Sequence, residues 1–133
     1  MDKLMALDIG TKRIGVALSD YLHITCSGHS CIQRTKDETA VDEIKKIAEN
    51  NNVKTIVVGI PVNMDGTKGF QAENCLNFAK HFENEYKIIF EDERLTSETA
   101  EENLKKRKID FRKNKGLVDI ESACIILEQY MGV

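Results

Sequence analysis

The period of the apolar positions changes several times along the chain, and each change marks an element. Leu4, Ala6 and Asp8 fall on one face of a period-2 strand and Met5, Leu7 and Ile9 on the other. Asp8 therefore stands at the carboxyl end of the strand, on a face otherwise apolar. Gly10 ends this run, and Thr11–Lys12–Arg13 is short enough for Ile14–Ser19 to return antiparallel as a hairpin. Gly15 keeps the returning strand slim beside the acid, and Asp20 closes the second run. Ser27–Arg34 fits a third strand through Cys31 and Ile32. Asp37 is the expected N-cap of a helix in which Val41, Ile44, Ile47 and Ala48 recur at helical spacing until Asn50–Asn51–Asn52. Val53–Gly59 carries Ile56, Val57 and Val58 without alternation, as in a strand covered on both faces. It is expected beside the first strand, with Gly59–Ile60–Pro61 leaving the edge where Asp8 emerges.

The second half repeats the alternation of strand and helix. Val62–Gly69 is a turn-rich loop, long enough to suggest a role at the strand ends. Gly69–Phe82 reads as a helix whose stripe is Ala72, Cys75, Leu76, Ala79 and Phe82. Tyr86–Phe90 is a short strand that runs into Glu91–Asp92–Glu93–Arg94, and acids so close together are costly to hold without cations. A helix from Thr96 or Ser97 has acids in its early turns and Lys105–Lys108 at its end, which suits the helix dipole. Phe111–Gly116 is a basic connector. Asp119 is the expected cap of a last helix that buries Ile120, Ala123, Cys124, Leu127, Tyr130 and Met131. Residues 1–133 thus read as a single α/β domain.

Composition narrows the class. Hydrophobic residues at 41% and charged residues at 31% are ordinary for a globular protein. No apolar run approaches the ~18–20 residues of a membrane span, and Met1–Asp2–Lys3 leads straight into a strand, so the expectation is a cytoplasmic protein without a membrane partner. His23, Cys26, His29 and Cys31 raise a zinc site, but their irregular spacing and the β-prone segment favour a structural reading. Cys75 and Cys124 lie on apolar helical stripes, where a thiol acts as a small hydrophobe. A net charge of −3 argues weakly against a nucleic-acid partner, yet the seven bases of Lys105–Lys115 are offset there only by Asp110. Such a patch on an acidic body can hold phosphate. The competing reading is a solvated loop.

The acids suggest chemistry. Asp8 at one strand end, an acid of Asp92–Glu93 at another and Asp119 at a helix start can meet at one sheet edge. The site would offer hard oxygen ligands, suited to Mg²⁺ or Mn²⁺ rather than zinc. A pair of such ions ~3.5–4 Å apart activates water and stabilises the leaving oxygen in phosphodiester hydrolysis, so the protein need supply no nucleophile. Taken singly, each acid has a plainer role as a turn or helix cap.

Four ordered motifs, LDIGTKRIGVALSD at Leu7–Asp20, VVGIPVNMDGTKGFQA at Val57–Ala72, EDERLTS at Glu91–Ser97 and KGLVDIESACIILEQY at Lys115–Tyr130, resemble the bacterial pre-16S rRNA nuclease family along the whole chain. That family is Holliday junction resolvase-like and belongs to the RNase H-like superfamily. The resemblance implies a five-stranded mixed sheet of order 3-2-1-4-5 flanked by helices. It also implies a metal-dependent nuclease site in which Asp8, Glu93 and Asp119 are the catalytic, metal-holding carboxylates. Asp92 ranks behind Glu93 because its side chain should alternate to the other face. Arg13, Asn63, Lys68 and Arg94 occupy motif positions where a donor can hold substrate phosphate, and Lys106, Arg107 and Lys113 supply the basic patch. Phe70 stands where family members often have proline. The implied substrate is precursor 16S rRNA, with branched DNA as the alternative and a catalytically idle nucleic-acid-binding module as a further reading. The opening Asp-x-Gly-Thr also begins sugar-kinase and actin-like ATPases, but those need two lobes to close on nucleotide.

Overall fold

The computed structural model describes residues 1–61, 69–93 and 96–133. In chain order the elements are β1 (Lys3–Ile9), β2 (Arg13–Ser19), β3 (Cys26–Gln33), α1 (Asp37–Asn50), β4 (Val53–Ile60), α2 (Phe70–Ala79), β5 (Lys87–Asp92), α3 (Thr96–Lys106) and α4 (Gly116–Met131). The strands form one mixed sheet in the order β3-β2-β1-β4-β5, antiparallel from β3 to β1 and parallel from β1 to β5. The order and the mixed pairing agree with the expectation.

Alternation in β1 assigns its two faces. Met5, Leu7 and Ile9 join Ile56 and Val58 of β4 in a core covered by Val41 and Ile44 of α1 and by Cys75 and Phe78 of α2. Leu4 and Ala6, with Ala17 and Val57, pack against Ala123, Ile126 and Leu127 of α4. Helix α3 lies against α4, with Ala100 and Leu104 buried. The first core is built from larger side chains, whereas small ones such as Ala6, Ala17 and Ala123 let α4 approach the sheet closely.

Several elements depart from their expected starts. The backbone of Asp37 is already helical, Lys36 holds the cap position, and the Asp37 carboxylate is drawn into a pair with Arg34. Helix α4 begins at Gly116, a turn before the expected cap, with Lys115 at the cap position and the Asn114 carboxamide oxygen accepting the Gly116 N–H at 3.1 Å. Asp119 therefore lies within the first turn rather than at the cap. Helix α2 gives way to a short 3₁₀ turn at Lys80–Phe82 that still buries Phe82, and Tyr130 lies 39% exposed near the end of α4. Strand β5 extends through Asp92, and the Glu93 N–H donates to the Ile60 carbonyl at 3.0 Å, which holds Glu93 at the sheet edge. Among the described residues no helix is long and apolar enough to cross a membrane.

Candidate active site

Strands β1 and β4 are parallel, so their carboxyl ends emerge together, and the acids gather there. Asp8 continues the α4-facing side of β1. Its cross-strand partner on β2 is Gly15, and a Cβ at Gly15 would lie 2.0 Å from the Asp119 carbonyl oxygen. The missing side chain lets the α4 backbone rest on β2 and carries Asp119 to Asp8. Glycine does similar work on the other flank. A Cβ at Gly59 would stand 2.6 Å from Glu93 Oε2, so that glycine makes room for the Glu93 carboxyl over β4.

The electrostatics follow from this crowding. Burial, and secondly the charge of Asp119, push the Asp8 pKa from 3.8 up to about 7, while a hydrogen bond with Glu93 pulls the other way. Ionised carboxylates only accept hydrogen bonds, so the Asp8–Glu93 bond requires a proton between them. Asp119 is compensated differently. Arg13, the first residue of β2, donates from Nε to Asp119 Oδ2 at 2.7 Å, and Cys31 Sγ lies 3.8 Å from the same oxygen. Burial, then the Asp119 charge, raises the Cys31 thiol to about 11.

The turn between β1 and β2 is fixed from below. Arg34, its side chain 9% exposed, donates to the Gly10 carbonyl at 2.8 Å, pairs with Asp37 and stacks its guanidinium 4.7 Å from the centre of the Phe78 ring. Gln71 donates to the Ile9 carbonyl at 2.8 Å. These two side chains were not singled out from sequence. Gln71 lies inside a recognised motif, whereas no local pattern marks Arg34.

The predicted phosphate-binding residues separate. Arg13 and Lys113 line a groove of about 620 Å³ between the end of β3 and the start of α4, together with Gln33, Arg112 and Lys115. Lys106 and Arg107 line another cavity further along α4, where Arg107 is tied to Glu121 at 2.6 Å. Asn63, Lys68 and Arg94 lie outside the described residues. Asp92 is exposed, and its carbonyl accepts from Gln129. Asp20, at the opposite end of β2 from Arg13, accepts the N–H groups of Ile24 and Thr25 and so closes a turn. The His23, Cys26, His29 and Cys31 side chains disperse to the Asp2 carbonyl, Cys124, Ser30 and Asp119.

A sheet of this order with acids at its carboxyl edge defines an RNase H-like fold, and solved structures share it. The fowlpox virus resolvase bound to Holliday junction DNA superposes with a TM-score of 0.60 at 15% identity, covering 98% of this chain and 97% of that one. RuvC from T. thermophilus, also with a Holliday junction substrate, gives 0.54 at 12% identity over 99% and 97%. The family itself is narrower. The RuvX model, described as Holliday junction resolvase, matches residues 2–132, and the chain belongs to that family. Relatives named "Putative pre-16S rRNA nuclease" include one from Gloeothece citriformis, 42% identical over 96% of this chain and 85% of its own length. Another, from Clostridium acetobutylicum, is 39% identical over 97% of both.

Proposed function

We propose that this protein hydrolyses phosphodiester bonds in nucleic acid with the help of divalent cations, and that precursor 16S rRNA is its substrate. The observation that carries the reading is the convergence of Asp8, Glu93 and Asp119, with Asp8 holding its proton to about pH 7. Membership of a family whose relatives bear the rRNA nuclease name supports the choice of substrate.

The donor set fits a hard cation. All three side chains offer carboxylate oxygens, the ligands that Mg²⁺ and Mn²⁺ prefer. Among the described residues no three Asp, Glu, His or Cys side chains are already gathered closely enough to hold an ion, and Asp119 is engaged by Arg13. Asp8, Glu93 and Asp119 would hold the metal once the shared proton and the Arg13 contact are given up. Two such ions would activate a water and stabilise the leaving oxygen. The chain's own part is to fix the carboxylates on rigid strand and helix ends, and to place Arg13 and Lys113 beside them as phosphate donors. Lys106 and Arg107 would meet a longer substrate further along α4.

The test is incubation of the protein with precursor 16S rRNA, linear DNA and a four-way DNA junction, each with Mn²⁺ or with chelator. Cleavage of the rRNA in Mn²⁺, absent in chelator and abolished by Asp8→Asn in a folded protein, is the expected result. Cleavage of the junction alone would move the substrate to branched DNA, the ligand held by the two resolvases of like fold. Binding to all three without cleavage would indicate an idle nucleic-acid-binding module, and ATP hydrolysis without nuclease activity would favour the kinase-like reading.

A further inference from the structure

Arg13 forms the partition between two openings of the site. On one side is a cavity of about 290 Å³ walled by Gly10, Lys12, Gln71 and Asp119; on the other is the basic groove that runs past Gln33 and Lys113. The guanidinium reaches from this partition to Asp119 Oδ2, with side-chain exposures of 31% for Arg13 and 21% for Asp119. Such an ion pair, open to solvent on two sides, is weak enough to be exchanged.

Arg13 satisfies the Asp119 carboxylate across 2.7 Å. A dication entering among the carboxylates makes this compensator redundant and repels the guanidinium. Once free of Asp119, Arg13 would face a groove whose other described charged side chains are Arg112, Lys113 and Lys115, with Asp110 bound to Arg112 from outside the wall. That position is unfavourable for a fourth cation unless an anion lies among them. A phosphodiester supplies that anion, and guanidinium binds it in bidentate fashion.

We propose that Arg13 is an exchangeable counter-ion that pairs with Asp119 in the resting protein, is displaced when a divalent cation takes the carboxylates, and then pairs with a strand phosphate in the groove. Cation and strand therefore tighten each other's binding, because coupling between two sites is reciprocal. The proposal rests on the nuclease reading of the site, but its readout is binding rather than cleavage.

Calorimetric titration of Mn²⁺ into the wild type, Arg13→Gln and Arg13→Lys, each with and without a single-stranded phosphorothioate oligonucleotide, tests it. Without oligonucleotide, Arg13→Gln should bind Mn²⁺ about three- to tenfold more tightly than the wild type, since the competing cation is gone. In the wild type the oligonucleotide should strengthen Mn²⁺ binding, and in Arg13→Gln this strengthening should largely vanish. Arg13→Lys keeps the charge and should retain part of it, which separates lost charge from lost fold. Equal or weaker Mn²⁺ binding by folded Arg13→Gln, or an unchanged effect of oligonucleotide, would overturn the exchange. A wild type that cuts no nucleic acid while this binding pattern holds would overturn the nuclease reading and leave the exchange standing. A metal-dependent nuclease with a flat Mn²⁺ series would do the reverse.

Discussion

Asp8 keeps its proton to about pH 7 in the folded protein because it is buried and faces Asp119, whereas its ordinary value is 3.8. Between those values the folded chain binds more protons than the unfolded chain, so the Asp8 contribution to stability falls as pH rises. The loss begins near pH 4 and is complete above pH 7, on the order of a few kcal/mol. In chelator, Asp8→Asn should therefore melt above the wild type at pH 8, with the gap closing toward pH 4. Saturating Mn²⁺ should raise the wild type more than the variant. Thermal unfolding at several pH values checks both, and an Asp8→Asn protein that melts below the wild type at pH 8 in chelator would contradict the burial argument. The position of Asp8 was legible in the sequence because strict alternation places it on the α4-facing side of β1. The partner of Asp119 was not. An acid near a helix start reads as a cap, and only the structure reveals that the helix begins a turn earlier and that Asp119 pairs with Arg13, 106 residues away in sequence.

At the scale of elements, the site depends on how closely α4 lies on β2 and β3. Gly15 faces the backbone of Asp119, with the added Cβ 2.0 Å from its carbonyl oxygen, whereas Gly28 on β3 faces the Cγ2 of Ile120 at 2.3 Å. The obstacles differ in kind. A side-chain methyl can be removed or can turn, but a helix backbone has to move as a unit. Gly15→Ala should cost about 3 kcal/mol, at the upper end of overpacking penalties, and should weaken Mn²⁺ binding by shifting Asp119 from Asp8. Gly28→Ala should cost less and should be largely rescued by Ile120→Ala, a rescue that Gly15→Ala lacks. Denaturant unfolding of these variants and the two double mutants measures this directly. A Gly15→Ala protein as stable as the wild type would mean that α4 has slack at its amino end. The strands differ in how plainly their residues mark them. Strand β1 alternates and β4 is a continuous apolar run, but β3 is an edge strand in which Ile32 is the buried hydrophobe, so Gly28 and His29 obscure its pattern. The close contact made at Gly15 was only half visible, since the sequence marks a small residue beside an acid but not the helix that descends on it.

For the molecule as a whole, the basic residues of Lys105–Lys115 divide among separate surfaces, which a count along the sequence treats as one patch. Lys113 and Lys115 belong to the groove that ends at Arg13 and Asp119. Lys106 and Arg107 border the cavity further along α4, and Glu121 already balances Arg107. A phosphate contact shows itself by releasing counter-ions, so each lost contact flattens log affinity against log salt by about 0.7 for a single strand and about 0.9 for a duplex. Replacing Lys113 and Lys115 by Gln should therefore flatten the slope for a short oligonucleotide by close to two contacts, with affinity falling alike for every sequence. The pair Lys106→Gln and Arg107→Gln should leave that slope nearly unchanged. With a longer substrate the second pair should begin to matter, because a strand that fills the groove then has phosphates left to reach the other cavity. Salt titrations with oligonucleotides of increasing length, in chelator so that no cleavage intervenes, follow this change. Equal slope losses from both pairs at every length would put the backbone across both surfaces from the start. An unchanged slope in both would return Lys105–Lys115 to a solvated face and leave Arg13 to be tested as a phosphate donor by itself.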